Sequence, residues 1–289
     1  MLIAAADLAA IAADPHTRVV DVRWYLGRPG DGRRAYDAGH IPGASFLDID
    51  GDLALAPGPW LPGRHPLPDP TAFARRLEAV GIGDEDLVVA YDDVGGWVAA
   101  RLWWMLDSLG HRAAAVLDGG IAAWQASGGT VSQAPTDNVP DSTPARLHLA
   151  PAWSRTIDRD ELRARLGSVT VVDARGAPRY RGEVEPIDPL AGHIPTAVSA
   201  PTDGNLAPDG RFLPADGLLG RFATLGITGE PGSRPVVTTC GSGVAACMNA
   251  LAMRLAGLPD PILYPGSWSD WSTASFPVAT GPEPGEPPG

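Results

Sequence analysis

Val19-Val20-Asp21-Val22-Arg23 recurs as Val171-Val172-Asp173-Ala174-Arg175, with Asp173 lying 152 positions after Asp21. Outward from this pair the correspondence continues. Gly39-His40-Ile41-Pro42 returns as Gly192-His193-Ile194-Pro195, at an offset of 153. Leu87-Val88-Val89-Ala90-Tyr91-Asp92 pairs with Pro235-Val236-Val237-Thr238-Thr239-Cys240 at 148, and Gly119-Gly120-Ile121-Ala122-Ala123-Trp124 with Gly266-Ser267-Trp268-Ser269-Asp270-Trp271 at 147. Four blocks in one order at a slowly drifting offset mark two copies of one domain. Within each copy, short β-branched runs that are apolar throughout alternate with helical patterns. Strands are expected near 18–22, 87–91 and 114–117, and again near 169–173, 235–239 and 261–264. Such runs separated by helices predict an α/β fold, each copy a mostly parallel sheet with helices on both faces. Ligands of such sheets sit at the carboxyl ends of the strands.

The expected boundaries are a first domain over 1–130, a linker over 131–155, a second domain over 156–280 and a tail over 281–289. The linker is polar and proline-punctuated, and the tail, Gly281-Pro282-Glu283-Pro284-Gly285-Glu286-Pro287-Pro288-Gly289, offers nothing to bury, so it reads as disordered.

Composition excludes several functions. Twenty-two basic residues against 34 acidic ones give a net charge of −12, which disfavours nucleic acid or an anionic membrane as partner. All the basic residues are arginine, which removes Schiff-base chemistry and the phosphate-binding lysine of a P-loop. Two cysteines, Cys240 and Cys247, make neither a disulfide framework nor a zinc site. No metal and no cofactor are expected. With no signal peptide pattern and no run of 18 apolar residues, a cytoplasmic setting is the expectation.

The chemistry points to Val236-Val237-Thr238-Thr239-Cys240-Gly241-Ser242-Gly243-Val244-Ala245-Ala246-Cys247. It reads as a buried strand ending at a cysteine, then a glycine-rich bend, then an apolar helix. N–H groups of the bend and the positive end of the helix dipole favour the thiolate, the nucleophilic form.

These segments resemble the rhodanese family, specifically its tandem-domain thiosulfate and 3-mercaptopyruvate sulfurtransferases. Cys240-Gly241-Ser242-Gly243-Val244-Ala245 is similar to the CGSGVT loop of the mercaptopyruvate branch, with Ala245 where threonine is usual. The resemblance implies a ping-pong reaction: Cys240 attacks the outer sulfur of a small anionic donor, becomes a persulfide, and yields the sulfur to cyanide, a small thiol or a protein thiol. N–H groups from Gly241, Ser242, Gly243, Val244, Ala245 and Ala246 would hold the anion. Asp92 stands where the first copy has lost its cysteine, so that copy is expected to be inert. Arg179 matches the arginine that holds the donor's anionic end, with Arg181 as an assistant. Asp188 stands where mercaptopyruvate enzymes usually have a further arginine, a departure that points toward thiosulfate. Ser242, His65 and Asp50 are the counterparts of a Ser-His-Asp arrangement in the mercaptopyruvate branch.

His40 and His193 occur in both copies although only one has the cysteine, so they read as structural, as do Asp21/Arg23 and Asp173/Arg175. Trp103, Trp104, Trp124, Trp268 and Trp271 read as packing residues, the last two being the closest to the strand end that carries Cys240. Two other functions fit a fold of this kind. A cysteine phosphatase needs Cys-x5-Arg, but the residue at the arginine's place is Ala246. A noncatalytic sulfur-carrier or binding module would normally lack the cysteine that is retained here.

Overall fold

The expected strands form in each copy, and the residues that the repeat brings together lie at the ends of two parallel sheets. The computed structural model describes residues 1–289 apart from 57, 59–61, 135–144 and 288–289, and divides into two units. One comprises Met1–Leu55, Leu67–Ser154 and Asp209–Arg211; the other comprises Ala56–Pro66, Arg155–Pro208 and Phe212–Gly289.

The first unit runs β1 (Leu2–Ile3), α1 (Ala5–Ile11), β2 (Thr17–Asp21), α2 (Asp31–Ala38), β3 (Ser45–Phe46), α3 (Pro70–Ala79), β4 (Leu87–Tyr91), α4 (Ala99–Ser108), β5 (Ala114–Leu117) and α5 (Gly120–Ala126). Its sheet is parallel, in the order β1-β5-β4-β2-β3. Helix α3 starts where it does because Pro70 presets the first turn and the Asp69 carboxylate accepts from the N–H groups of Thr71 and Ala72. Leu8, Ile41, Val89, Tyr91, Leu117 and Trp124 meet in one core cluster.

The second unit runs α6 (Arg159–Arg165), β6 (Thr170–Asp173), α7 (Ala177–Tyr180), β7 (Ala197–Ser199), α8 (Ala215–Thr224), β8 (Val236–Thr239), α9 (Ala246–Leu255), β9 (Ile262–Leu263) and α10 (Ser267–Trp271). Its parallel sheet has the order β7-β6-β8-β9, the same as β3-β2-β4-β5. At the position of β1, Thr156 makes a single parallel bridge to Leu263. Leu162, Val171, Tyr180, Val237, Trp268 and Trp271 share its core, so the two tryptophans nearest the cysteine strand are packing residues.

The duplicated motifs do the same structural work twice. Arg23 Nη2 donates to Asp21 at 2.6 Å and to the Gly39 carbonyl at 2.7 Å; Arg175 Nη2 donates to Asp173 and the Gly192 carbonyl at the same two distances. His40 stacks on Tyr36 with centroids 3.9 Å apart, and His193 on Tyr180 at 3.8 Å. Each pair fixes the chain that follows the helix to the end of a central strand.

Two features differ from the sequence expectation. Residues 62–66, expected inside a first domain spanning 1–130, belong to the second unit. The tail expected to be disordered is held over its described part: the Glu283 carbonyl bonds His193 Nε2 at 3.1 Å and the Pro284 carbonyl accepts from Thr196 N–H at 2.6 Å. Proline and glycine leave carbonyls free to accept even where no side chain can be buried. Ten of the expected linker residues, 135–144, lie outside the described part of the chain.

Candidate active site

Cys240 follows the last residue of β8, at the carboxyl end of the sheet, and is 3% exposed. Its backbone is clamped on both sides. The Cys240 N–H donates to Ser267 Oγ at 3.1 Å, and the Cys240 carbonyl accepts from Trp268 N–H at 3.0 Å. Ser267 holds this place at φ +53°, left-handed for a residue other than glycine. The corresponding residue of the first unit is Gly120, at φ +57°.

After the cysteine, the chain must bend sharply to enter α9. Gly243 does this at φ +80°, where a Cβ would lie 2.4 Å from the Pro265 carbonyl oxygen, so glycine is required. The bend turns the Gly243 N–H toward Cys240 Sγ at 3.2 Å. The N–H groups of Ser242, Val244 and Ala246, all on buried residues, meet no acceptor among the described residues. The carbonyls of Val244 and Ala245 take up the first turn of the helix, accepting from Cys247 and Met248. Cys247 is itself buried, its thiol donating to the Gly243 carbonyl at 3.4 Å.

The first unit shows what such a loop is built to hold. There the Asp92 carboxylate, at the position of Cys240, accepts four backbone N–H bonds of 2.8–3.0 Å from Val94, Gly96, Val98 and Ala99. Complete burial pushes the Asp92 carboxyl up, and those four donors pull against it. Val94, Gly96 and Val98 correspond to Ser242, Val244 and Ala246. Three of the four donors that an internal anion fills in one copy thus have counterparts without an acceptor beside the cysteine in the other, while the fourth, the Cys247 N–H, bonds the Val244 carbonyl.

Ser242 and His65 come together, with Ser242 Oγ and His65 Nδ1 sharing a hydrogen bond of 2.6 Å. Both side chains are buried. His65 lies with the second unit because its neighbours pack there: Gly63 turns at φ +79° against the Gly266 carbonyl, and Arg64 N–H donates to Ser269 Oγ at 3.0 Å. Asp50 belongs to the first unit, where its carboxylate accepts from Trp24 Nε1 at 2.9 Å.

Arg179 lies at the end of the short helix α7. Its guanidinium donates to Glu185 through Nε at 3.1 Å and Nη2 at 2.7 Å, and through Nη2 to Asp188 at 3.2 Å. Arg181, expected to assist Arg179, has its guanidinium chelated by Glu183 at 2.7 and 2.8 Å on an exposed stretch. Sequence reasoning missed Arg64, which pairs with Asp188. It also missed Arg175, whose guanidinium lies 4.6 Å from the Trp268 ring centroid. Burial alone would depress the Arg175 pKa, but the charges of Asp173, Glu185 and Cys240 hold it above the usual arginine value. No local signal marks Arg64; the Asp-x-Arg repeat marks Arg175 only as structural.

A family model for the rhodanese-like domain matches residues 4–127 and 158–274. Over 284 residues the chain is 47% identical to a protein of Pseudomonas aeruginosa named as a probable 3-mercaptopyruvate sulfurtransferase, covering 97% of this chain and 98% of that one. It is 38% identical to a putative thiosulfate sulfurtransferase of Mycobacterium tuberculosis, over 94% of each. The solved structure of 3-mercaptopyruvate sulfurtransferase from Leishmania major superposes with a TM-score of 0.81 at 31% identity, covering 94% of this chain and 74% of that one.

Proposed function

The chain belongs to the rhodanese-like family, as a sulfurtransferase, and from that premise we propose that it takes sulfur from 3-mercaptopyruvate onto Cys240 and passes it to a nucleophilic acceptor. The observation that carries this reading is the set of open N–H groups of Ser242, Val244 and Ala246 beside Cys240, set against the corresponding groups that Asp92 fills. Buried donors without an acceptor are rare. A ring of them beside a nucleophile suits an anion that comes and goes.

The Cys240 thiolate attacks the donor sulfur. A sulfur–sulfur bond forms, the sulfur–carbon bond breaks, and its electron pair leaves on carbon as the enolate of pyruvate. That carbon needs a proton, and the Ser242 hydroxyl, backed by His65, supplies it. Thiosulfate would leave as sulfite, which needs none, so the Ser242–His65 pair favours the mercaptopyruvate donor. In the second half, an acceptor such as cyanide attacks the outer sulfur of the persulfide, giving thiocyanate and restoring the thiolate. The N–H ring stabilises the thiolate and the persulfide anion alike. The first unit, its ring occupied by Asp92, takes no part in the chemistry.

Thiosulfate as donor is the second reading, since Asp188 stands where a further arginine is usual in the mercaptopyruvate branch. Parallel measurement of kcat/KM with the two donors decides between them, since the ratio reports differential transition-state binding. Cys240→Ser is expected to abolish thiocyanate formation from either donor, and incubation with donor to add the mass of one sulfur atom to the wild-type chain. Thiocyanate formation persisting in the variant would refute the assignment.

A further inference from the structure

Arg64 and Arg179 converge on the loop from opposite ends of the second unit's sequence. A Cβ placed on Gly241, the residue after the nucleophile, would lie 3.2 Å from Arg64 Nη2 and 3.5 Å from Arg179 Nη1. Those two nitrogens have no acceptor among the described residues. The other edges of both guanidinium groups are occupied. Asp188 takes Arg64 Nη1 with one carboxylate oxygen and Arg179 Nη2 with the other, and Glu185 takes Arg179 Nε and Nη2. The acids are the deeper members, 3% and 4% exposed against 18% for Arg179 and 25% for Arg64. Two carboxylates thus hold two guanidinium groups from behind, with an unpaired N–H₂ of each turned to the space over Gly241. The absent Cβ of Gly241 is part of that space.

We propose that Arg64 and Arg179 form a paired guanidinium clamp for the donor's anionic end, that Asp188 is the bridge that positions both, and that Asp188 and Glu185 tune the clamp to a monoanion. This rests on the sulfurtransferase reading and deepens it. Two convergent guanidinium edges match a planar carboxylate, which can accept from both at once. The formal charge of the four side chains is zero, so a dianion such as thiosulfate meets two carboxylates with no surplus positive charge to offset them. A carboxylate monoanion incurs less of that repulsion. The acidic residue at position 188 then recruits a cation from residue 64 instead of leaving the site short of one.

The test separates loading of Cys240 from turnover. The reaction of Cys240 is followed by intact mass in wild type, Arg64→Gln and Asp188→Asn, with 3-mercaptopyruvate and with thiosulfate, each of which adds one sulfur, and with an uncharged organic trisulfide RSSSR that needs no clamp, whose outer sulfur the thiolate attacks to form the mixed disulfide with RS while RSS⁻ leaves. In Arg64→Gln, loading from 3-mercaptopyruvate is expected to slow by about tenfold or more, the loss of one charge-assisted hydrogen-bonded contact. Reaction with the trisulfide should stay at the wild-type rate. Equal slowing with all three reagents would reduce Arg64 to a structural residue and overturn the clamp, as would unchanged loading from 3-mercaptopyruvate. In Asp188→Asn the ratio of thiosulfate to 3-mercaptopyruvate loading should rise severalfold; an unchanged ratio overturns the charge tuning. If wild-type Cys240 gains a sulfur from neither 3-mercaptopyruvate nor thiosulfate, the sulfurtransferase reading itself fails, an outcome distinct from failure of the clamp.

Discussion

Ser267 tolerates a left-handed backbone, at φ +53°, because its hydroxyl accepts from Cys240 N–H and donates to the Tyr264 carbonyl at 2.9 Å. The repeat uses Gly120 at the same place, without strain and without an acceptor. Ser267→Ala keeps the strain and orphans a buried N–H, so it is expected to destabilise the protein by about 1–3 kcal/mol in denaturant unfolding. Ser267→Gly relieves the strain and should cost less; the reverse order would show that the left-handed backbone at this position is not strained. Glu185 offers a second measurement at this scale. Burial pushes its carboxyl up, but hydrogen bonds from Arg179 and from the N–H groups of Asp188 and Ile187 outweigh that and hold it below the usual 4.5. The folded state therefore binds its proton less readily than the unfolded state, and its contribution to stability is complete above about pH 4.5 and lost as pH falls through the lower folded value. The stability difference between wild type and Glu185→Gln should be flat from about pH 7 to 5 and shrink on further acidification. A difference that grows in acid contradicts the pairing.

At the scale of the element, strand β8, the bend and helix α9 make one device, and Gly243 is its hinge of necessity. An alanine there must adopt φ +80° and push a methyl group to within 2.4 Å of the Pro265 oxygen. Gly243→Ala is expected to cost about 2 kcal/mol or more in stability and to lower kcat by displacing the N–H that faces Cys240 Sγ. Wild-type kcat in this variant would show that the bend's geometry is not needed for sulfur transfer. The strand and helix of this device are legible in sequence because β-branched runs and long apolar helices are strong local signals. Strands β1 and β3, of two residues each, carry no periodicity and are fixed by their parallel neighbours.

At the scale of the whole molecule, duplication provides a comparison inside one chain. Asp92 satisfies four backbone N–H groups in the first unit, three of them buried, and Asp92→Ala should leave them bare. A loss of about 3 kcal/mol or more is expected, partly restored by formate, a free carboxylate able to enter the vacated ring. Stability that is unchanged, or indifferent to formate, would show that the ring does not need an anion.

The sequence by itself determined the duplication, the parallel α/β architecture of each copy, the strand-end position of Cys240 and the glycine bend after it. All of these follow from local runs and a repeat, which folding does not have to assemble. Tertiary structure alone decided that residues 62–66 pack with the second unit, that His65 bonds Ser242, and that Arg64 stands beside Arg179 with Asp188 between them. His65 and Ser242 are 177 residues apart, and Arg64 and Asp188 are 124 apart. No periodicity or spacing records such a contact, because it is set by long-range packing of the chain and not by the preferences of neighbouring residues.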